Sequence, residues 1–291
     1  MSRVQRASFG YSLLAPQSIG YAIFALYPLA EVFRLSLFHV TPLSGQQTFI
    51  GLGNYIKIFS DPDTPTILLN TGFLVALLSV FGTIVALALA ILLNQKLPGI
   101  NIFRAAIFIP ALVTMIAWTI VWRFILQPNG LLDSIVSFFG LTPLSWLREH
   151  WLTLTLLVFI QLLKNVGLYM MIFLAALQAV PSELLDASKV DGANAWRSFR
   201  YVTVPEISPS VLMVFMLMIV SSFKVFEVVF ILTDGGPGVS TTVLSYAVYD
   251  AFRLNNNGYA SAFGVVLFGA VLILTVIVWQ LRRRFVSYEN E

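Results

Sequence analysis

Long apolar runs broken by short polar segments set the pattern of this chain, and the runs are longer than a water-surrounded core requires. A bilayer-crossing helix needs about 20 mainly apolar residues. Six stretches reach that length: 11–38, 70–93, 105–126, 152–180, 209–232 and 260–281. The second is the cleanest, since FLVALLSVFGTIVALALAILL carries no charge, and the first and fifth are the most polar. Between the runs, FIGLGNYIKIF and GLLDSIVSFFGL read as short surface helices. TDGGPG ends the fifth run at a turn, because its glycines and Pro237 disfavour continued helix. There is no internal repeat and no low-complexity tract. The expected fold is all-α, a polytopic membrane protein with six transmembrane helices in a single domain over 1–291.

Composition agrees with lipid as the solvent. The chain is 58% apolar and 11% charged, against roughly 25% charged in an average soluble domain. The absence of cysteine excludes disulfides, thiolate metal sites and a cysteine nucleophile. The opening MSRVQRASFGYSLLAPQSIG allows a cleaved signal peptide or a retained first span. A retained span is expected, because the apolar run continues past Leu14 and no small-residue cleavage pattern is clear.

An even number of spans puts both termini on one side, and the excess of Lys and Arg chooses the side. With cytoplasmic termini, the inner segments hold Arg3, Arg6, Lys96, Arg104, Lys189, Arg197, Arg200, Arg282, Arg283 and Arg284. The outer loops then hold only Lys57, Arg148 and Arg253, against Asp61, Asp63, Asp133, Glu149, Asp234 and Asp250. The net charge of +3 therefore reflects membrane topology and is no evidence for nucleic acid.

The loop 181–208 stands out. Between two of the most apolar stretches it places Glu183, Asp186, Lys189, Asp191, Arg197, Arg200 and Glu206. Ser182 is the expected N-cap, with Glu183 in the first turn near the positive helix end. Leu184, Ala187, Ser188 and Asp191 then share one face at helical spacing, and Gly192 suits a left-handed helix-ending position. ANAWRSFRYVTV reads as a second short helix anchored by Trp196 and Phe199 and broken by Pro205 and Pro209. The loop is either a plain connector with an interfacial helix or a docking helix. A short mixed-charge helix with apolar anchors suits a protein groove better than a lipid surface, which favours mostly basic polar faces.

These residues carry a resemblance. Asp186-Ala187-Ser188, then KVD, then Gly192, followed by Val202, Val204 and Pro205, is similar to the cytoplasmic signature of the membrane-spanning subunits of bacterial ABC importers. DGA at 191–193, Trp196, Phe199, SFKVFEVVFILTDGGPG and GYASA resemble the sugar-type, maltose-permease-like members. The likeness covers nearly the whole chain, with Asp186 standing where the signature has Glu, one methylene longer. It implies that the loop is a coupling helix, with Glu183, Asp186, Ala187, Ser188, Asp191 and Gly192 facing an ATPase subunit. The implied partners are a second homologous permease, two ATP-binding-cassette subunits, an external solute-binding protein and membrane lipid. No cofactor is expected in this chain. It has no G-x-x-x-x-G-K-[ST] cradle for phosphates, so ATP and Mg are expected on the partner subunits.

Charges inside a membrane cost about 2.5–3.5 kcal/mol each on insertion scales, so each asks for a reason. Lys164 and Asn165 lie mid-way along the fourth span, and Lys224 and Glu227 lie three apart in the fifth, interleaved with Phe223, Phe226 and Phe230. Lys224 and Glu227 read either as a structural ion pair packed against a neighbouring subunit or, with Lys164 and Asn165, as the border of a sugar pathway, which needs polar donors and acceptors beside aromatic faces. Placement of the sugar against spans four to six is what the resemblance implies. Glu31 and Arg34 read as a structural pair, and Arg123 as a residue that snorkels at an outer end. Gly82, Ala86 and Ala90 allow close helix approach, within the chain or at a subunit interface. Tyr246, Tyr249 and Tyr259 are expected at the outer interface.

The leading expectation is an import permease subunit of the bacterial inner membrane for a di- or oligosaccharide, a polyol or glycerol phosphate, working by alternating access. A self-sufficient secondary transporter or channel, ion-coupled through Lys164 and Glu227, is the second class. A membrane enzyme is the third, and it lacks a catalytic constellation: His39 and His150 have no metal-ligand spacing and there is no G-x-S-x-G.

Overall fold

The computed structural model describes residues 14–41, 45–95 and 97–285. Arg3, Arg6, Lys96 and the side chains of Arg283 and Arg284, which entered the charge argument, lie outside the described residues. The helices are α1 (Leu14–Leu35), α2 (Gly53–Ser60), α3 (Thr64–Leu93), α4 (Ile100–Leu112), α5 (Met115–Leu126), α6 (Leu131–Phe138), α7 (His150–Ala179), α8 (Ser182–Val190), α9 (Ala195–Ser222), α10 (Glu227–Leu232), α11 (Leu244–Arg253) and α12 (Asn257–Phe285). Among the described residues five helices are long and apolar enough to cross a membrane, or six if the bent pair α4–α5 counts as one span. A small antiparallel hairpin, β1 (Phe38–Val40) and β2 (Gln47–Phe49), is an addition to the all-α expectation.

The chain divides into two compact units. One comprises residues up to Thr64 with Ala247–Phe268. In it, no described residue of α1 is buried. Glu31 and Arg34 form the expected pair (2.5 and 2.8 Å), and Arg34 also donates to Gln47 Oε1 at 2.9 Å. Buried Asn54 donates to the carbonyls of Ser36 and Phe38 and so fixes the hairpin's entry.

The other unit, Pro65–Tyr246 with residues from Gly269 on, holds the main core. Ala86 and Ala90 of α3 are fully buried against Met170, Phe173 and Leu174 of α7 and Ile207, Val214 and Met218 of α9. Their small side chains therefore serve packing within the chain. Gly167 of α7 sits so close to α4 that a Cβ there would collide with the Ile107 carbonyl oxygen, and would lie 2.8 Å from Phe108 Cα.

Two spans differ from their expected form. The third, expected as one span over 105–126, is broken by a bend of 98° between Ile100–Leu112 and Met115–Phe138. Pro110 lies in the last turn of α4, Val113 is extended, and Thr114 caps α5 by accepting from the Ala117 N–H. The fifth, expected over 209–232, begins at Ala195 and runs unbroken through Pro205 and Pro209 to Ser222. A π turn at Phe199–Thr203 precedes the prolines. Its wider register accommodates a ring that lacks an N–H and would crowd the carbonyl four residues back. The break falls instead at Phe223–Phe226, before α10.

Candidate functional site

The polar face of α7 meets the broken end of α9. Gln161, Asn165 and Tyr169 line a small pocket together with Leu78, Ser221 and Ser222. The Tyr169 hydroxyl pairs with Ser221 Oγ at 3.0 Å, while Gln161 Oε1 is buried with no hydrogen-bond partner among the described residues. The pocket holds only about 20 Å³, room for a water and not for a sugar ring.

At the break, Phe223 and Val225 turn inward and are buried, whereas Lys224 is exposed on the surface of the chain and Glu227 half-exposed. The Ser245 hydroxyl donates to the Val225 carbonyl at 2.7 Å, satisfying an acceptor that the interrupted helix leaves free. Phe226 stacks on Phe230 and Tyr246, with centroids at 5.5 and 6.3 Å. Because the break separates Lys224 from α10, the two charges do not share a helix face, and no Lys224–Glu227 ion pair, one of the two readings of these residues, forms among the described residues. Lys224 lies two residues past the end of the α9 span at Ser222.

Lys164 is in a different environment. It is buried, and its ammonium donates to the carbonyls of Pro110 (3.5 Å) and Ala111 (3.3 Å). Both lie in the last turn of α4; Pro110 O also accepts the Val113 N–H (3.3 Å), and a cation there complements the negative helix end. Lys164→Met keeps the length and removes the donors. We expect it to lower stability by about 1 kcal/mol, the scale of one lost hydrogen bond at the part-buried Ala111 carbonyl, seen as an earlier thermal unfolding transition of the purified chain. An unchanged transition with lost transport would move Lys164 into the pathway. Arg104 does a similar job, donating through Nη2 (2.7 Å) and Nε (3.2 Å) to the Leu93 carbonyl at the end of α3.

On the loop, α8 ends in a double hydrogen bond: Ala193 N–H to Ser188 O (2.9 Å) and Gly192 N–H to Lys189 O (3.0 Å). Gly192 takes φ +75°, as its left-handed helix-ending position requires. Ser182 is not the N-cap; Pro181 holds that position and no side-chain cap forms, because the extended Pro181 leads directly into the first turn. Ser188 is buried and its hydroxyl meets Ser198 Oγ at 2.8 Å, tying α8 to the start of α9. Asp186 pairs with Lys189 at 2.8 Å, both well exposed. Glu183, Ala187, Asp191 and Gly192 are exposed as well, beside Val190 (88%), Trp196 (69%) and Tyr201 (75%). The second helix of the loop is thus the first turns of the long α9, not a separate element.

Buried side chains tie down the turn after α10. Asn70, fully buried, donates through Nδ2 to the carbonyls of Val239, Ser240 and Thr242, and its Oδ1 meets His150 Nε2 at 2.9 Å. Tyr246 is buried, with its hydroxyl donating to Asp234 O and Oδ1, so it braces the TDGGPG turn and is not an interface anchor.

Residues 80–286 match the family described as the binding-protein-dependent transport system inner membrane component. The chain belongs to this family. It is 33% identical to the arabinooligosaccharides transport system permease protein AraP of Bacillus subtilis, over 94% of this chain and 88% of that one. It is 27% identical to the trehalose/maltose transport system permease protein MalF of Thermococcus litoralis, over 97% of this chain and 96% of the relative. Its fold matches a solved chain of a bacterial ABC transporter involved in the import of the acidic polysaccharide alginate, with a TM-score of 0.82 at 20% identity over 98% of both chains. A chain of the bacterial alginate ABC transporter in complex with alginate pentasaccharide-bound periplasmic protein matches similarly, with a TM-score of 0.83 at 20% identity over 97% of this chain and 96% of that one. This inner membrane component is a multi-pass transport permease.

Of the residues expected at the pathway, the structure gathers Asn165 with the α9 end and leaves Lys224, Phe226 and Glu227 at the break beyond it. Phe223 points into the core and Lys164 into the α4–α5 bend. Gln161, Tyr169 and Ser221 join the site without having been singled out by their sequence. Their signal is spacing: four residues from Gln161 to Asn165 and four more to Tyr169 mark one face of α7.

Proposed function

We propose that this permease serves an ABC importer for a carbohydrate of di- or oligosaccharide size or a related solute such as glycerol phosphate. It pairs with a second homologous permease, two ATPase subunits that carry ATP and Mg, and an external solute-binding protein. The observation that carries the substrate class is the identity to an arabinooligosaccharide permease along nearly the whole chain. The alginate transporter's complex with its periplasmic protein supports the binding-protein partner.

In this reading 1–291 is one permease domain with cytoplasmic termini, and α8 is the coupling helix. Glu183, Asp186, Ala187, Asp191 and Gly192 belong to the surface that an ATPase subunit grips, and the buried Ser188 holds that surface to the start of α9. The exposed Asp186–Lys189 pair is worth at most a few tenths of a kcal/mol, so a partner's basic group can take Asp186 over. The pathway wall is Asn165 with Gln161, Tyr169 and Ser221, continued by Lys224, Phe226 and Glu227. Phe223 and Lys164 hold that wall from behind. The second permease supplies the opposite wall, and alternating access widens the space between them.

Uptake of labelled oligosaccharide into vesicles containing the full assembly tests this. We expect ATP-dependent uptake that requires the binding protein and falls about tenfold or more in Lys224→Ala, the scale of losing one charged contact, with subunit retention unchanged. Uptake by the chain alone, without ATP or partners, would contradict the proposal.

A further inference from the structure

A groove of about 340 Å³ runs between α9 and α12, walled by Val204, Val211, Leu212, Phe215, Val278 and Leu281. That volume falls within the range of small-molecule sites, about 300–1,000 Å³. Its lining is aliphatic and aromatic apart from two groups, Ser208 and Arg282. Both are unusual. The Ser208 hydroxyl is buried and has no hydrogen-bond partner among the described residues, although a buried polar group normally finds one. The Arg282 guanidinium lies over the Trp279 ring, 3.5 Å from its centroid. Stacking uses the face of the guanidinium and leaves its N–H edge for an acceptor, and no carboxylate pairs with Arg282 among the described residues.

We propose that this groove binds one anionic phospholipid, with an acyl chain along the α9–α12 wall and the headgroup phosphate on Arg282. Three features favour a lipid over other occupants. Both walls are membrane-spanning helices, so a hydrocarbon chain reaches the groove without leaving the bilayer. The cation lies beside an amphipathic tryptophan of the kind that sits at headgroup level. Arg283 and Arg284 follow in sequence, which makes this helix end strongly basic, and basic pockets between spans on the cytoplasmic side favour anionic headgroups. The Ser208 hydroxyl supplies a hydrogen bond for a phosphate or ester oxygen. The proposal rests on the topology given above only for the leaflet it assigns. Lipid retention is read without transport, so the two stand or fall separately.

The test is native mass spectrometry of the full chain in detergent, titrated with phosphatidylglycerol or phosphatidylcholine of identical acyl chains. We expect one retained phosphatidylglycerol, favoured about fivefold, the equivalent of about 1 kcal/mol for a basic residue near an anionic surface. Arg282→Gln should remove that preference, and Leu212→Trp, which fills the groove, should lower retention of both lipids. Equal retention of the two lipids by the native chain would overturn the proposal, as would an unchanged preference in Arg282→Gln. Displacement of the lipid by soluble glycerol phosphate would overturn it in favour of a soluble phosphate. Matching elution profiles of both variants and the native chain guard against misfolding, and a variant that elutes differently is replaced by Arg282→Met or Val278→Phe.

Discussion

Gly167→Ala is expected to destabilise the chain by about 3 kcal/mol, the upper part of the range for overpacking a filled core, although it adds one methyl group. The atoms that the new Cβ would meet are backbone: the Ile107 carbonyl, and Phe108 Cα at 2.8 Å. Backbone in a helix cannot rotate aside as a side chain does, so α4 would have to move away from α7. That movement also draws Pro110 and Ala111 away from Lys164, which joins the same two helices. One methyl therefore strains the packing and loosens the cap on the bent span together. The internal controls are Gly72→Ala and Gly269→Ala, where nothing lies within 4 Å of the added atom. There the better helix propensity of alanine, worth up to about 1 kcal/mol, is unopposed. Thermal unfolding of the purified chains should show a marked fall for position 167 and none for the controls. Equal stability of all three would mean that α4 and α7 are not in backbone contact.

A comparable loss of function is expected from Val190→Asp combined with Trp196→Asp, by a different route. Val190 is 88% exposed and Trp196 69% exposed, so neither substitution empties a core, and surface changes of this kind usually stay within about 0.5 kcal/mol of native stability. If these side chains are anchors in a partner's groove, each truncation costs about 2 kcal/mol or more of binding. About 4 kcal/mol for the pair is close to a thousandfold in affinity. ATP-driven uptake should fall below detection while the unfolding transition stays in place. The loop is suited to transmit force, because the Ser188–Ser198 contact and the double hydrogen bond at Gly192 fix α8 to the start of α9. Since α9 runs unbroken to Ser222, the proposed coupling would carry a displacement of α8 to the break at Phe223–Phe226, where Lys224 stands. Uptake at the native level in the double variant would remove α8 from the coupling route.

Much of this architecture is legible in the sequence because lipid imposes a simple rule: long apolar runs become helices. The charge-free 70–93 run lies within α3, and the 152–180 run within a residue or two of α7. Gly192 is legible because a left-handed position explains a glycine after that amphipathic turn. What stays hidden depends on contacts between distant segments. The 98° bend after Pro110 leaves the Ala111 carbonyl to the Lys164 ammonium, a donor far along the chain. Pro205 and Pro209 read as breakers, yet the π turn before them lets the helix continue. The residues Phe223–Phe226 read as helix, because their apolar character hides an interruption stabilised by Ser245. Asn70 reads as the polar edge of a span, and nothing nearby in sequence shows that it ties together three carbonyls of the turn at Val239–Thr242.

The most direct measurement is co-purification of the permease with its ATPase subunit from native membranes, comparing the native chain with the Val190→Asp/Trp196→Asp double variant and with Asp186→Lys at equal expression. We expect the native chain to retain the ATPase subunit, the double variant to lose nearly all of it, and Asp186→Lys to retain a reduced amount. Retention independent of all three residues, or a native chain that purifies alone and still transports, would contradict the assignment of α8 as the element through which ATP hydrolysis on another chain drives this one.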